Sequence, residues 1–339
     1  MPKKVSVIIA TYNGLDYLKN CLPTVQKSEY SNFEIIVCDD ASTDGTYKYL
    51  TEIQSKDDKL IIMQNHQNLG AAKSRNHAVS RATGEVLVFL DNDTQVDPHW
   101  IAQPLEILEK DLTIGGVQSL LIEYDQRDII QLSGVHLIPH ACWGAPIERH
   151  THIHSRIKTP QNIIALSAAL FVRKIIHDTI GGFDDKLAVY TEDLEYSLRI
   201  WISGSRIVSA PNSYVYHWTK KVADRKKMHS SKAQIYFHLT KNSFRSIIKN
   251  YQLTTLLQYM PFLILITVFR VAQCIINKDF SSAHSVLKGI FWTIRNLPDT
   301  LKVRSTVQSQ RKFSDKIISK EVFLRKSLFD IYYEYFAKK

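Results

Sequence analysis

Three acidic clusters follow apolar segments closely enough to do chemistry. The first is Asp91-Asn92-Asp93, directly after the run Val86–Leu90. Side chains alternate along extended backbone, so carboxylates two residues apart point to the same side. Two hard oxygen donors at a strand end suit Mg²⁺ or Mn²⁺, which keep open positions for phosphate oxygens. A lone D-x-D pair also arises by chance or in a turn. Its place after a buried strand, beside a second acidic strand end, favours the metal. That second cluster is Asp39-Asp40-Ala41-Ser42-Thr43-Asp44, after Phe33–Cys38. A carboxylate there can accept hydrogen bonds from a pyrimidine imide or from ribose hydroxyls, and Tyr12 can stack on a base. Ser42 and Asp44 read as caps of the following helix, and Asp40 as the ligand. The third cluster is Thr191-Glu192-Asp193-Leu194-Glu195. Thr191 suits a helix cap, and Glu192 and Glu195 suit compensation of the helix dipole. Asp193 can act as a general base on an incoming hydroxyl. Arg75, early in a helix, either faces an anionic diphosphate or is a surface residue.

These clusters need a scaffold that brings distant segments to one rim, and the first half of the chain provides one. Val5–Ala10, Phe33–Cys38, Leu60–Met63 and Glu85–Leu90 read as apolar strands. Between them lie helical stretches near Leu15–Gln26, Gly45–Ser55 and Ala71–Arg81. Such alternation predicts a mostly parallel sheet with helices on both faces, an α/β fold. Ligands of such sheets bind beyond the carboxyl ends of the strands, where the acidic clusters sit. No G-x-G-x-x-G follows the first strand and no G-x-x-x-x-G-K-[ST] occurs, which argues against dinucleotide-dependent dehydrogenases and P-loop NTPases. Further on, Leu166–Val172 reads as a buried strand and Gly181-Gly182-Phe183-Asp184 as a turn.

The series Ala10-Thr-Tyr-Asn13, Val37-Cys-Asp-Asp-Ala-Ser-Thr-Asp-Gly-Thr46, Asn68-Leu-Gly70 with Arg75-Asn76, Asp91-Asn-Asp93, Gly181-Gly-Phe-Asp184 and Glu192-Asp193 resembles the inverting family 2 glycosyltransferases of GT-A fold, over roughly residues 4–220. Tyr236-Phe-His-Leu-Thr-Lys-Asn242 is similar to a segment of the bacterial rhamnosyltransferase-like branch, which builds cell-surface polysaccharides. The resemblance implies a nucleoside-diphosphate sugar donor and a saccharide acceptor carried on a lipid. It implies that Asp40 reads the nucleobase, with Thr11, Tyr12, Asn13 and Asp39 beside it and Arg75 on the donor. Asp91 would contact the donor ribose or diphosphate, Asp93 would bind the metal, and Asp193 would be the catalytic base. His217, in Val215-Tyr-His-Trp218, falls where the family often has a metal- or diphosphate-binding histidine; a buried structural imidazole is the alternative reading. Glu195 departs from the Asp that many members carry. A non-catalytic nucleotide- or carbohydrate-binding relative of the same fold is the second hypothesis, and the intact Asp91, Asp93 and Asp193 set disfavours it.

Composition is ordinary for a globular chain: 339 residues, 45% hydrophobic and 22% charged. The charge is uneven. Residues 1–219 hold 20 Lys and Arg against 26 Asp and Glu, and residues 220–339 hold 23 against 7, a net of +16 in the second part. We therefore expect a GT-A domain over 1–240 and a basic, amphipathic helical region over 241–339. Leu253–Ile276 is apolar enough to span a bilayer, but Pro261 interrupts it and Gln252, Gln258, Arg270 and Gln273 are placed on one arc. It is expected to lie in the interface or against the catalytic domain. In Ala283–Leu297 an apolar stripe (Val286, Leu287, Ile290, Phe291, Ile294, Leu297) is expected opposite His284, Lys288 and Arg295. Trp292, Lys302 and Arg304 suit anionic headgroups. An anionic membrane surface at the cytoplasmic face is the expected partner, and a core-facing helix is the alternative. No nucleic-acid module occurs. Met1-Pro2-Lys3-Lys4 leads straight into a strand, so no secretory signal is expected, and four scattered cysteines read as reduced packing residues.

Overall fold

The computed structural model describes residues 3–55, 57–218 and 231–324. The strands read from the apolar runs form as β1 (Val5–Thr11), β2 (Phe33–Asp39), β3 (Leu60–Gln64) and β4 (Val86–Leu90). Helices α1 (Leu15–Gln26), α2 (Thr46–Gln54) and α3 (Ala71–Val79) separate them. The four strands pair in parallel in the order β3-β2-β1-β4. Both faces are covered. Val7, Ile9, Val37 and Val88 pack with Leu18, Leu22 and Leu50 of α1 and α2. Ile8, Ile36, Leu87 and Phe89 pack with Ala72 and Ala78 of α3. This two-sided burial is why the strands carry β-branched residues without polar alternation.

The chain continues through β5 (Thr94–Val96), α4 (Ala102–Lys110), β6 (Ile114–Glu123), β7 (Ile129–Leu132), β8 (Val135–Ile138), β9 (Trp143–Pro146), β10 (Thr151–His152), β11 (Ala169–Arg173), α5 (Lys174–Ile180), α6 (Glu192–Ile202) and β12 (Arg206–His217). β11 enters antiparallel between β4 and β6. β12 runs parallel to β6 and antiparallel to β5. β7 and β10 extend the far edge, and β8 and β9 form a separate hairpin. The strand expected from Leu166 begins at Ala169, because the Leu166 amide is bound by the Gln118 side chain at 2.7 Å instead of by a ladder partner. All four cysteines are buried and free.

Among the described residues five helices follow: α7 (Lys232–Asn250), α8 (Leu253–Ile276), α9 (Phe280–Arg295), α10 (Leu297–Ser309) and α11 (Asp315–Val322). α7 opens with a reciprocal capping box between Ser231 and Gln234. It runs straight through the expected boundary at residue 240, and residues 325–339 of the expected C-terminal region lie outside the described residues. Buried ion pairs fasten α7 to the sheet domain. Asp184 meets Arg245 at 2.7 Å and Lys249 at 2.6 Å, and Glu195 meets Lys249 at 2.8 Å and Arg199 at 2.7 Å. That fixes Glu195 as a structural carboxylate.

The faces of α8 and α9 differ from the sequence reading. Ser282, Ala283, Val286, Gly289 and Thr293 of α9 are buried, and at Gly289 a Cβ would come within 2.8 Å of Thr240 Cβ. Small residues thus seat α9 on α7, and of the apolar stripe Val286 turns inward. Leu287, Phe291, Ile294 and Leu297 are exposed, on the same outward side as His284, Lys288 and Arg295. The four polar residues at and along α8 do not face one environment. Arg270 turns inward over the rings of Trp143 (4.8 Å) and Tyr236 (5.4 Å), while Gln258 and Gln273 face outward. Leu257, Ile264, Leu265, Val268 and Phe269 are exposed beside them.

Candidate active site

The pairing of β12 with β5 sets His217 opposite Thr94, next to the D-x-D segment. The Trp218 amide donates to the Asp93 carbonyl at 3.0 Å and closes the junction. His217 Nε2 lies 3.4 Å from Asp93 Oδ1, and one ligand atom each from Asp91, Asp93 and His217 lie within 4.8 Å of one another. Gln131, on β7, presents Oε1 to His217 Nδ1 at 2.7 Å. Nδ1 then carries the proton and Nε2 aims its lone pair at the two carboxylates, the tautomer a metal ligand needs. Without a cation, burial works against the imidazolium, but the hydrogen bond and charge of Asp93 outweigh it and the pKa rises. Two oxygens and one imidazole nitrogen suit Mn²⁺ or Mg²⁺. The residues therefore fit the expected ion.

At the ends of β1 and β2 the structure redistributes roles. Asp40 is buried, and its oxygens accept from Asn65 Nδ2 (2.7 Å), the Leu69 amide (2.9 Å) and the Gly70 amide (2.9 Å). Its carboxylate shapes the loop before α3 through these three bonds. Asp39 is fully buried, and only its Oδ2 is engaged, by Gln64 Nε2 at 3.1 Å and the Ser42 amide at 3.3 Å. Asp39 Oδ1 has no hydrogen-bond partner. A buried acceptor left unpaired is costly and calls for a donor. Asn13, with φ of +47°, ties the two strand ends together: its amide donates to Ser42 Oγ (2.8 Å) and its Oδ1 accepts from the Thr43 amide (2.7 Å). Thr11 Oγ1 accepts from Asn92 Nδ2 at 2.8 Å, linking this rim to the D-x-D segment. Tyr12 is 37% exposed on the same rim. Asp44 accepts from the Thr46 and Leu15 amides, but the N-cap of α2 is Gly45, which has no side-chain capping bond, so neither Ser42 nor Asp44 is the cap.

Arg75 is buried. One arm of its guanidinium meets Glu192 at 2.8 Å and the other meets Asp91 at 2.9 Å. It joins the D-x-D segment to α6, so the cation expected on a diphosphate also holds two protein carboxylates. Ahead of α6, Ala188, Tyr190 and Thr191 all have φ near +60°, a conformation that costs a residue with a Cβ about 1–3 kcal/mol. Thr191 stands at the cap position, but its buried hydroxyl makes no capping bond. Asp193 instead bonds back to the Leu194 amide at 2.8 Å with Oδ1 and accepts from the Ser167 amide at 3.4 Å with Oδ2. Burial, then the Glu192 charge, pushes its carboxyl up to about 7, against Arg75. A carboxyl in that range suits general-base chemistry near neutral pH.

Asp91, Asp193 and His217 line one cavity of ≈ 390 Å³ together with Glu123, Gln131, Arg149 and His150. Two members of the metal-type cluster, Asp91 and His217, therefore share a cleft with Asp193. Gln131, Arg149 and His150 carried no sequence signal, because they belong to strands and loops outside any acidic cluster. Trp143 packs under Arg270, and Trp218 stacks on Tyr124 at 4.1 Å.

Residues 6–180 match the family model described as Glycosyl transferase family 2. A UDP-Glc:alpha-D-GlcNAc-diphosphoundecaprenol beta-1,3-glucosyltransferase, WfaP of Escherichia coli, is 35% identical over 121 residues, covering 36% of this chain and 47% of that protein. The alignments take in between 24% and 48% of the length of the first curated relatives. Among solved structures, GalNAc-T7 with UDP, GalNAc and Mn²⁺ superposes with a TM-score of 0.68 at 19% identity, over 98% of this chain and 58% of that one. The mannosyltransferase PcManGT of Pyrobaculum calidifontis, in complex with GDP-Man and Mn²⁺, gives a TM-score of 0.55 at 18% identity, over 91% and 86%. Both share the GT-A fold with this chain.

Proposed function

Because this chain belongs to glycosyl transferase family 2, we propose that its cleft moves a sugar from a nucleoside-diphosphate sugar to a hydroxyl of a saccharide acceptor, with inversion at the anomeric carbon. The observation that carries this reading is the convergence of Asp91 and His217, with Asp93 beside them, and Asp193 on one cavity, reached from segments far apart in sequence. Asp39 Oδ1 accepts an imide N–H from the base, which selects uracil, thymine or guanine over cytosine and adenine. Tyr12 offers a ring for the base to lie on. Asp93 and His217, with Asp91 beside them, hold Mn²⁺ or Mg²⁺, which supplies Lewis-acid neutralisation of the diphosphate leaving group. Arg75 keeps Asp91 and Glu192 from drifting apart. Asp193 takes the proton of the acceptor hydroxyl as that oxygen attacks the anomeric carbon from the face opposite the diphosphate.

The acceptor is a saccharide on a lipid diphosphate, and the product a cell-surface polysaccharide. Two facts support this. The WfaP relative is named for a diphosphoundecaprenol-linked substrate. The outward side of α8 and α9 combines exposed Leu257, Leu265, Phe269, Leu287, Phe291 and Ile294 with Lys288 and Arg295, a pattern suited to the anionic cytoplasmic leaflet. α8 is long and apolar enough to cross a membrane; with Arg270 and Cys274 turned inward, it lies along the surface.

The test is a panel of UDP-Glc, UDP-GlcNAc, UDP-Gal and GDP-Man with a lipid-diphosphate saccharide, with Mn²⁺ or with EDTA. Released nucleoside diphosphate and the anomer of the product are read out. Turnover lost with EDTA and in Asp193→Asn is expected. Turnover that survives Asp193→Asn removes the assigned base, and nucleotide binding without any turnover favours a non-catalytic relative. Failure to float with anionic liposomes argues for a soluble acceptor.

A further inference from the structure

The segment Tyr236–Asn242 has no part in the chemistry above, yet α7 brings its last two residues onto the turn that carries the base. Asn242 is fully buried. Its Nδ2 donates to the carbonyls of Leu187 (3.1 Å), Val189 (2.9 Å) and Tyr190 (2.5 Å). Three acceptors share two hydrogens. Its Oδ1 accepts from Lys241 Nζ at 2.8 Å. Lys241 Nζ also donates to the carbonyls of Lys186 (2.5 Å) and Leu187 (3.1 Å). Apart from the bond between the two side chains, a buried ammonium and a buried amide are thus aimed at backbone oxygens of residues 186–190.

That backbone needs holding. Ala188, Tyr190 and Thr191 sit in the left-handed region, which residues with a Cβ keep only where their surroundings over-determine it. On the opposite side the Ala72 amide donates to the Ala188 carbonyl at 2.9 Å. A Cβ at Gly70 would come within 2.9 Å of that same carbonyl oxygen, so α3 abuts the turn with no slack. The turn is gripped between α3 and α7 and leads directly into Asp193.

We propose that Lys241 and Asn242 are positioning residues: they lock the turn 187–191 so that the Asp193 carboxylate meets the acceptor hydroxyl. This rests on Asp193 being the base. A base displaced by a fraction of an ångström loses rate without losing its donor, because the donor contacts lie on other elements.

The experiment uses the full chain, steady-state turnover with the nucleotide sugar found active in the panel, and calorimetric binding of UDP with Mn²⁺. Asn242→Ala is expected to lower kcat at least about tenfold while donor KM and the UDP Kd stay within about twofold. Leu108→Ala, a core truncation on α4 remote from the cleft, reports what destabilisation alone does. A kcat loss in Asn242→Ala no larger than that of Leu108→Ala overturns the proposal, and so does a kcat loss matched by weaker UDP binding. If Asn242→Ala does not fold, Lys241→Met, which removes the ammonium but keeps the stem, carries the same comparison. Asp193→Asn in the same assay separates the two ideas. If it still turns over, the base assignment fails; if it is dead while Asn242→Ala is unimpaired, only the positioning role fails.

Discussion

Asp39→Asn is nearly isosteric, so its effect isolates one hydrogen bond. In the native protein Oδ2 accepts from Gln64 Nε2 and the Ser42 amide, while Oδ1 waits for a donor. An amide at this position must keep its carbonyl oxygen toward Gln64 and Ser42, which places its NH₂ where Oδ1 stood. An imide N–H of uracil then meets a donor instead of an acceptor. The lost bond is a charge-assisted one, worth about 1.5–3 kcal/mol, or about 10- to 150-fold in affinity. Cytosine presents a lone pair at the same ring position, so the variant gains an interaction with it. Calorimetric titration of UDP and CDP in the presence of Mn²⁺ reads both effects. We expect UDP affinity to fall by that factor and the UDP-to-CDP preference to narrow or reverse. A variant whose UDP affinity drops with no change in that preference, or does not drop, refutes the assignment of Oδ1 to the base.

Three further outcomes follow from the same geometry. Asp184→Asn leaves Arg245 and Lys249 buried without their shared carboxylate, and stability measured by urea unfolding should fall by about 3–5 kcal/mol; a loss below about 1 kcal/mol contradicts the buried pairing. For acid stability, burial opposes ionisation, but Arg199 and Lys249 outweigh it and hold the Glu195 carboxyl down to about 2, and Lys249 and Arg245 likewise depress Asp184. These groups bind protons less readily folded than unfolded, so their contribution is complete above about pH 4.5 and is lost as the pH falls toward 2; Glu195→Gln should flatten that acid limb in a denaturation series. Finally, with the Asp193 carboxyl near 7, kcat should fall about 30-fold between a plateau above about pH 8 and pH 5.5, since only the ionised form accepts the proton; a flat profile over that range excludes it as the base.

The sequence was most legible where pattern and chemistry coincide. Strands buried on both faces are continuous apolar runs, and residues just past them are polar, so β1 to β4 and their acidic ends could be read directly. The contact of His217 with Asp93 depends on β12 pairing with β5, a long-range register that no local signal encodes. The roles of Asp39 and Asp40 are set by which oxygen the neighbouring amides of Leu69, Gly70 and Ser42 reach, which spacing cannot reveal. Arg75 looked like a free cation because its partner Glu192 comes from a distant helix. On α9 the periodicity of large apolar residues pointed to one stripe, but close helix packing is made by small residues, so the buried side was the one with Ser282, Ala283, Gly289 and Thr293.

The tight seat of α9 also sets a tolerance. At position 289 any side chain would act as a wedge against Thr240, and the neighbours of Thr240 along the helix are Lys241 and Asn242. Trp292 of α9 lies 4.8 Å from the Lys241 ammonium, so the two helices meet again at that residue. Swelling at position 289 would thus travel one helix diameter and arrive at the turn that leads into Asp193. The outward side of α9 can vary without disturbing that grip, while its inward side cannot.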